Sequence, residues 1–385
     1  VDDLGGAVWF ELGVALEQEG DDEAALQAFQ ETLARRPGDP CALYRLGKAL
    51  NRLGRHSEAL KHLRRAQSRN ADHAGIWREI AYAYRRQRWT SEALNALERA
   101  LQADPEDPAL LQEMGRVLAD QGRYEQALEM MRKALALRPD HACWHGELGT
   151  LYGLTGRWWE ACREFEQAVA LMPGDPRHHY NLGMAYRRLG KNHEAVRSLR
   201  RAVEMAPDRA DWHASLAEAL GALGKHGEAL EHYRQASTLD PKRAEYHLGM
   251  STALVHLGEY DEALRVLKQT ISLSPACAEA HNWLGEVYRA KGQPAEALDK
   301  FLLACALCPD HAPYYGNLGA TYAELGDHEN ALKILRLAVD LQPDYAEGYY
   351  RQGGVYEALG MDEKALEAYR RAAEVKPDVP SYSLQ

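Results

Sequence analysis

Histidines 145, 179, 213, 247 and 281 recur at one fixed interval of 34 residues. Imidazole ligates metals, relays protons and changes charge near neutral pH, so such a ladder invites a chemical reading. His281 sits in "AEAHNWLGEVY", which has the apolar spacing of an amphipathic helix. Equivalent positions on packed helices stand about 8–10 Å apart, so two neighbouring rungs could share one ion at best. A zinc site wants three or four converging protein ligands, and the interval supplies no others. The same place in the flanking intervals carries Trp9, Leu43, Trp77 and Leu111, then Tyr315 and Tyr349. The position wants a bulky body. The five histidines are read as packing residues, with loosening of the array on acidification as their one chemical consequence.

Other candidates are weaker. "CALCPDH", from Cys305 to His311, holds a C-x-x-C, but no second pair at matching spacing completes a metal site. No thioredoxin-like strand–helix pattern surrounds it, so it is read as two small buried residues. Trp158 and Trp159 fall in a predicted turn, where Trp158 is expected to pack and Trp159 to be the more exposed. Phosphate-binding, dinucleotide-binding, nucleophile-elbow and H-E-x-x-H motifs are absent from the sequence. No metal, no cofactor and no catalytic residue is called for, and the chain reads as non-enzymatic.

The elements that position these residues follow from the interval. Leu-Gly pairs at 12–13, 46–47, 148–149, 182–183, 284–285 and 318–319 are separated by multiples of 34. Extending that register places repeat starts at 6, 40, 74, 108, 142, 176, 210, 244, 278, 312 and 346. Eleven repeats then tile residues 6–379, leaving a lead-in of 1–5 and a tail of 380–385. Position 8 of each repeat is small, as at Gly13, Ala81 and Ser251, and position 20 is alanine in every repeat, from Ala25 to Ala365. Position 24 is large and apolar, as at Phe29, Phe165 and Phe301. Glycine at position 15 ends the first helix, with Arg88 the exception; proline at position 32 closes the second, with Ala71 the exception.

This pattern resembles the tetratricopeptide repeat (TPR) family. The resemblance implies an all-α fold, a right-handed superhelical α-solenoid of helix-turn-helix repeats, with first helices lining a concave groove. Packing physics agrees, since one repeat cannot bury its apolar stripe alone.

A groove lining is then expected from first-helix positions 2, 5, 6, 9, 12 and 13. Repeat 2 presents Tyr44, Arg45, Lys48 and Arg52, and repeat 3 presents Arg78, Tyr82, Arg85 and Arg86. Arg116 follows in repeat 4, and repeat 6 adds Arg177, Tyr180, Asn181, Arg187 and Arg188. Glu79, Glu113 and Glu147 interrupt the basic run. Repeats 7 and 8 are small or apolar at Ala214, Ser215, Leu248 and Gly249, and beyond them the lining turns acidic and aromatic. Trp283, Asn317, Tyr350 and Arg351 are the binding candidates there, among Glu245, Glu279, Glu286 and Glu347. The family's chaperone-tail carboxylate clamp is matched only by Asn317 and Arg351, and its asparagine ladder only by Asn181 and Asn317.

Net charge is −11, which argues against a nucleic-acid binder. It is segregated: repeat 2 sums to +6 and repeat 6 to +5, against −10 for the last five repeats. No apolar run reaches the roughly 18 residues that a membrane span needs, and no signal peptide opens the chain, so membrane insertion is not expected. Six cysteines in 385 residues do not form a disulfide framework, which favours a reducing, cytoplasmic setting over a periplasmic one. The expected function is a protein-interaction scaffold holding a partner peptide or helix that carries an acidic segment. Two alternatives stand beside it: the sensor or substrate-recruiting region of a larger enzyme or signalling ATPase, and a structural protein that self-associates end to end.

Overall fold

The computed structural model describes residues 2–70, 73–377 and 379, with side chains from residue 4 onward. Ala71, the expected exception to the closing proline, and the expected tail 380–385 lie outside the described residues. Among the described residues there are 22 α-helices and no strand, so the fold is all-α. First and second helices alternate along the whole chain. The ninth pair is Ala278–Ala290 followed by Pro294–Leu307. The first helix spans Asp2–Glu19, so residues 2–5, expected as a lead-in, extend it by a turn.

The chain divides into two compact halves, Val1–Leu189 and Gly190–Gln385. In the first half one cluster of buried residues runs from Ala25 to Ala185. The second half has its own clusters, one joining Phe301 to Leu318 and another joining Leu335 to Val355.

Local chemistry sets the helix ends. Asp39, Asp107 and Asp175 each precede a proline and accept hydrogen bonds from the first backbone N–H groups of the helix. The aspartate satisfies donors the helix cannot, and the proline lacks one that would have been orphaned. First helices terminate at glycines with positive φ, such as Gly54 at 76° and Gly360 at 68°. Arg88 adopts the same left-handed backbone, with φ 63°, and among the described residues it is the sole non-glycine to do so.

Position 8 shows why the repeat tolerates so little there. A Cβ built on Gly285 would lie 2.7 Å from the ring of Phe301, which is fully buried at position 24. Gly149 stands in the same relation to Phe165, and Gly319 to Leu335. Position 20 lies at the same crossing: the Ala331 carbonyl would be 3.3 Å from a Cβ at Gly319. These alanines are buried throughout, among them Ala127, Ala195 and Ala297.

Two predictions follow from this geometry. Gly285→Ala gains about 0.5–1 kcal/mol of helix propensity but must displace Phe301, and overpacking costs about 1–3 kcal/mol. The net is destabilising. Gly354→Ala, whose Cβ would meet nothing closer than the Tyr369 hydroxyl at 3.8 Å, should stabilise instead. Paired urea melts giving the same sign for both would refute the crossing geometry. Arg88→Gly should stabilise by about 1 kcal/mol, since an L side chain at positive φ costs roughly 1–2 kcal/mol. An unchanged or lowered melting midpoint would show that Arg88 is not strained.

Candidate binding face

The histidine ladder has a structural answer. Nε2 of His145, His179, His213, His247 and His281 lies 2.9, 3.0, 3.0, 3.0 and 3.1 Å from the carbonyls of Pro139, Pro173, Pro207, Pro241 and Pro275. A carbonyl only accepts, so Nε2 carries the proton in each case. Each imidazole therefore ties the proline that closes one repeat to the helix that opens the next. His281 is a packing residue with one defined bond. Among the described residues no group of three or more His, Cys, Asp or Glu side chains could hold a metal. Burial pushes the Cys305 thiol up to about 12, so it stays protonated and unreactive at neutral pH. Trp158 packs over Gly153 and under the Arg188 guanidinium, whereas Trp159 is 64% exposed.

The basic residues expected in the groove lie on first helices, but most of their charge is already committed. Glu17 is the clearest case: its buried carboxylate receives Lys48 at 2.6 Å and Arg45 at 2.7 Å, with Arg52 at 3.6 Å. Burial alone would raise its pKa; the hydrogen bonds and charges of Lys48 and Arg45 outweigh this and lower it. Arg52 also pairs with Asp22 at 3.0 Å. Arg85 donates from Nε to Glu113 at 2.8 Å and lies 3.3 Å from Asp120. Arg116 reaches both Glu113 and Glu147, and Gln112 donates to Glu147 at 2.7 Å.

The glutamates that interrupt the basic run are its counter-ions. Position 12 of one first helix faces position 6 of the next, so Arg85 cannot both hold Glu113 and point freely into a groove. Asn51 fills the same role without charge, donating to the Glu79 backbone and carboxylate at 3.0 Å each. Burial raises the Glu79 pKa, and Asn51 counters part of that. Near the other end Asn317 donates to Asn282 at 3.0 Å and accepts from Arg351 at 2.9 Å. Arg351 also bonds Glu347 at 2.5 Å.

The remaining candidates divide by environment. Arg177 is exposed and chelates Asp175, the cap of its own helix. Arg78 shares a hydrogen bond with the Tyr44 hydroxyl. Tyr82 stands edge-on to His56 at 5.9 Å, and Tyr350 tilts against Tyr369 at 5.4 Å. Tyr180, Asn181 and Arg187 are half-buried. Arg86 and Arg188 are exposed at position 13, and among the described residues neither has a carboxylate within ion-pair distance. Exposed second-helix residues are engaged as well. Glu166 accepts from the Tyr186 hydroxyl at 2.5 Å, and Arg200 pairs with Glu228 at 2.8 Å.

This arrangement of paired helices, small crossings and first-helix side chains bonded repeat to repeat is matched by family models described as tetratricopeptide repeat. They cover residues 16–80, 74–117, 107–174, 180–244, 222–272, 248–312 and 312–378. The chain belongs to the tetratricopeptide repeat family. No curated protein matches it significantly. Among solved structures the TPR array is similar to the APC/C hetero-tetramer Cut9–Hcn1, at 14% identity and TM-score 0.51, over 96% of this chain and 94% of that one. Yeast Tom70 matches at 12% identity and TM-score 0.47, over 99% and 94%. MamA from Desulfovibrio magneticus RS-1 matches at 28% identity and TM-score 0.42, over 44% and 96%. The likeness to Cut9–Hcn1 speaks to fold alone. The TPR array is a protein-interaction scaffold of a kind that generally carries no catalysis, and none of its described helices is long and apolar enough to cross a membrane.

The Glu17 cluster makes a pH prediction. A folded-state pKa lowered below 4.5 contributes stability that is full above pH 4.5 and lost as pH falls through the lowered value. Wild type should therefore melt above Glu17→Gln at neutral pH, and the gap should close on acidification through that window. A gap that is constant with pH would mean the carboxylate charge contributes nothing.

Proposed function

We propose that the first-helix face of this TPR array is a partner-binding groove for an extended or helical protein segment. On the first half it meets acidic residues of the partner; on the second half it meets small or apolar residues and basic ones. The eleven-repeat register from residue 6 to 379 is part of the proposal, since it defines which side chains share that face. The observation that carries it is the pair of exposed guanidiniums, Arg86 and Arg188, which lack an ion-pair partner on a face where Arg45, Lys48, Arg52, Arg85 and Arg116 each hold a carboxylate. Charges left open on such a face favour an external counter-ion, and they steer association more than they add affinity.

Affinity capture with mass spectrometry should identify the partner, and substitutions then locate it. Arg86→Glu should weaken binding several-fold with an unchanged melt, and the loss should shrink as salt rises. Arg85→Glu is a poor probe, because it sets a second carboxylate against Glu113. Lys133→Glu, on an exposed second-helix position, is the control and should do little. A partner that ignores Arg86→Glu and cross-links to second helices would overturn the groove.

A second reading has its own observation. Leu4, Val8 and Leu12 are 76%, 66% and 43% exposed and fall four residues apart on the first helix. That stripe suits a helix of a second copy. At the other terminus Ala365 and Ala372 are buried, while Leu366 is exposed. Sedimentation that stays monomeric for wild type at high concentration would remove this reading.

A further inference from the structure

In the second half a cavity of about 410 Å³ opens on the first-helix face. It exists because bulk is missing where neighbouring repeats carry long side chains. Position 12 is Gly221 in the seventh repeat, but Arg289 in the ninth. A Cβ at Gly221 would meet nothing within 4 Å. Position 6 is Gly249 in the eighth repeat, but Trp283 in the ninth. Tyr233 lies so close over Gly249 that any Cβ there would run into its ring. In the seventh repeat position 8 is Ala217 rather than glycine, and Tyr233, the large residue at position 24, leans onto the next helix instead.

The lining combines flat rings with carboxylates. His226 and His256 stack with centroids 4.3 Å apart and planes 18° from parallel. Trp283 stands edge-on to His256 at 5.8 Å. Burial, and then the neighbouring His256, lower the His226 pKa, so that ring is neutral at physiological pH. Glu218, Glu245 and Glu279 line the same cavity and no lysine or arginine does; Arg243, outside the lining, reaches Glu245 at 3.6 Å. Glu279 accepts from the Trp283 indole at 3.3 Å, and among the described residues it has no cation beside it. Three exposed carboxylates around an empty space bounded by ring faces make a negative, partly apolar environment. Its complement is a cation on an apolar stem, most fully a planar guanidinium, which stacks on rings while its fork of donors reaches several carboxylates.

We propose that this cavity receives an arginine side chain of the bound protein segment, an inference that rests on the reading of the first-helix face as the partner surface. The cavity is the site at which the second half reads a basic residue; Gly221 leaves room for it, and Gly249 lets the Tyr233 ring form its wall.

The test uses the full chain and a fluorescein-labelled Leu-Arg-Leu-Arg peptide, with the citrulline version as its neutral isostere. Anisotropy should show the arginine peptide binding about tenfold more tightly than the citrulline one, as expected for charge-assisted contacts over aromatic rings. Glu218→Gln, Glu245→Gln and Glu279→Gln together should abolish that preference. Glu259→Gln, Glu296→Gln and Glu329→Gln together change net charge equally at exposed positions outside the cavity, and should leave the preference within about twofold. Gly221→Leu should fill the space, keep the melting temperature and block the arginine peptide. Equal binding of the two peptides, or equal losses from both triple variants, would overturn the cavity assignment. The groove reading falls separately, by cross-links of a captured partner to second helices. A partner that depends on Arg86 but is untouched by the cavity triple would sink the cavity alone.

Discussion

The close crossing of the two helices within each repeat is the constraint on which the remaining structure depends. At position 8 the first helix carries glycine, alanine or serine, so that the ring or branched side chain from position 24 can lie against its backbone. Phe301 over Gly285 and Leu335 over Gly319 show how little space remains. With that distance fixed, the alanine at position 20 follows, because a larger side chain there would separate the helices. The first-helix face follows too, since side chains at positions 5, 6, 9 and 12 are then held at hydrogen-bond range of the next repeat. Packing inside the repeat thus decides which polar groups can meet between repeats.

Those polar contacts are where cohesion and recognition compete. A guanidinium at position 12 can hold the carboxylate at position 6 of the following helix, or it can reach a partner. Arg85 is already spent on Glu113, and Arg45 and Lys48 on Glu17. The buried end of each pair raises the cost of breaking it, because a half-buried carboxylate left without its cation keeps its desolvation penalty. A basic composition on this face is therefore a poor measure of its free charge. Charge without a counter-ion on this face remains at Arg86 and Arg188, one residue beyond the staple.

Much of the fold was legible in the sequence because it is written one residue at a time. Gly54 and Gly360 announce a left-handed helix end, and Arg88 in the same column marks a strained one, which the backbone confirms with φ 63°. The substitution of Trp, Leu and Tyr for histidine at position 4 identified His281 as a packing residue. Its bond to Pro275 was not foreseen, because that requires knowing where the proline carbonyl points. The binding face was less legible for a related reason. Glu79, Glu113 and Glu147 were visible as breaks in a basic run, yet their role depends on a partner about 28 residues away on another helix. The signal was present in the register at two junctions, where Glu17 and Arg85 at position 12 are followed by Arg45 and Glu113 at position 6 of the next repeat.

The seventh and eighth repeats show what the same constraint permits when it is relaxed. Ala217 occupies the crossing, so Tyr233 cannot lie where Phe301 lies two repeats later, and its ring passes to Gly249 instead. The glycine usually found at position 8 has in effect moved to position 6 of the next helix, out of the core and onto the exposed face. Gly221 then leaves position 12 without a staple. The carboxylates nearby are held differently from Glu17 and Glu113: Glu245 meets Arg243 at 3.6 Å, and Glu279 accepts from the Trp283 indole. Cohesion on the first-helix face here rests on buried apolar contacts such as Leu216, Leu220 and Leu254, while on the second helices Arg234 bridges to Glu262 at 3.1 Å. A solenoid whose stability is a sum of nearest-neighbour terms can give up polar staples at one place if apolar burial compensates there.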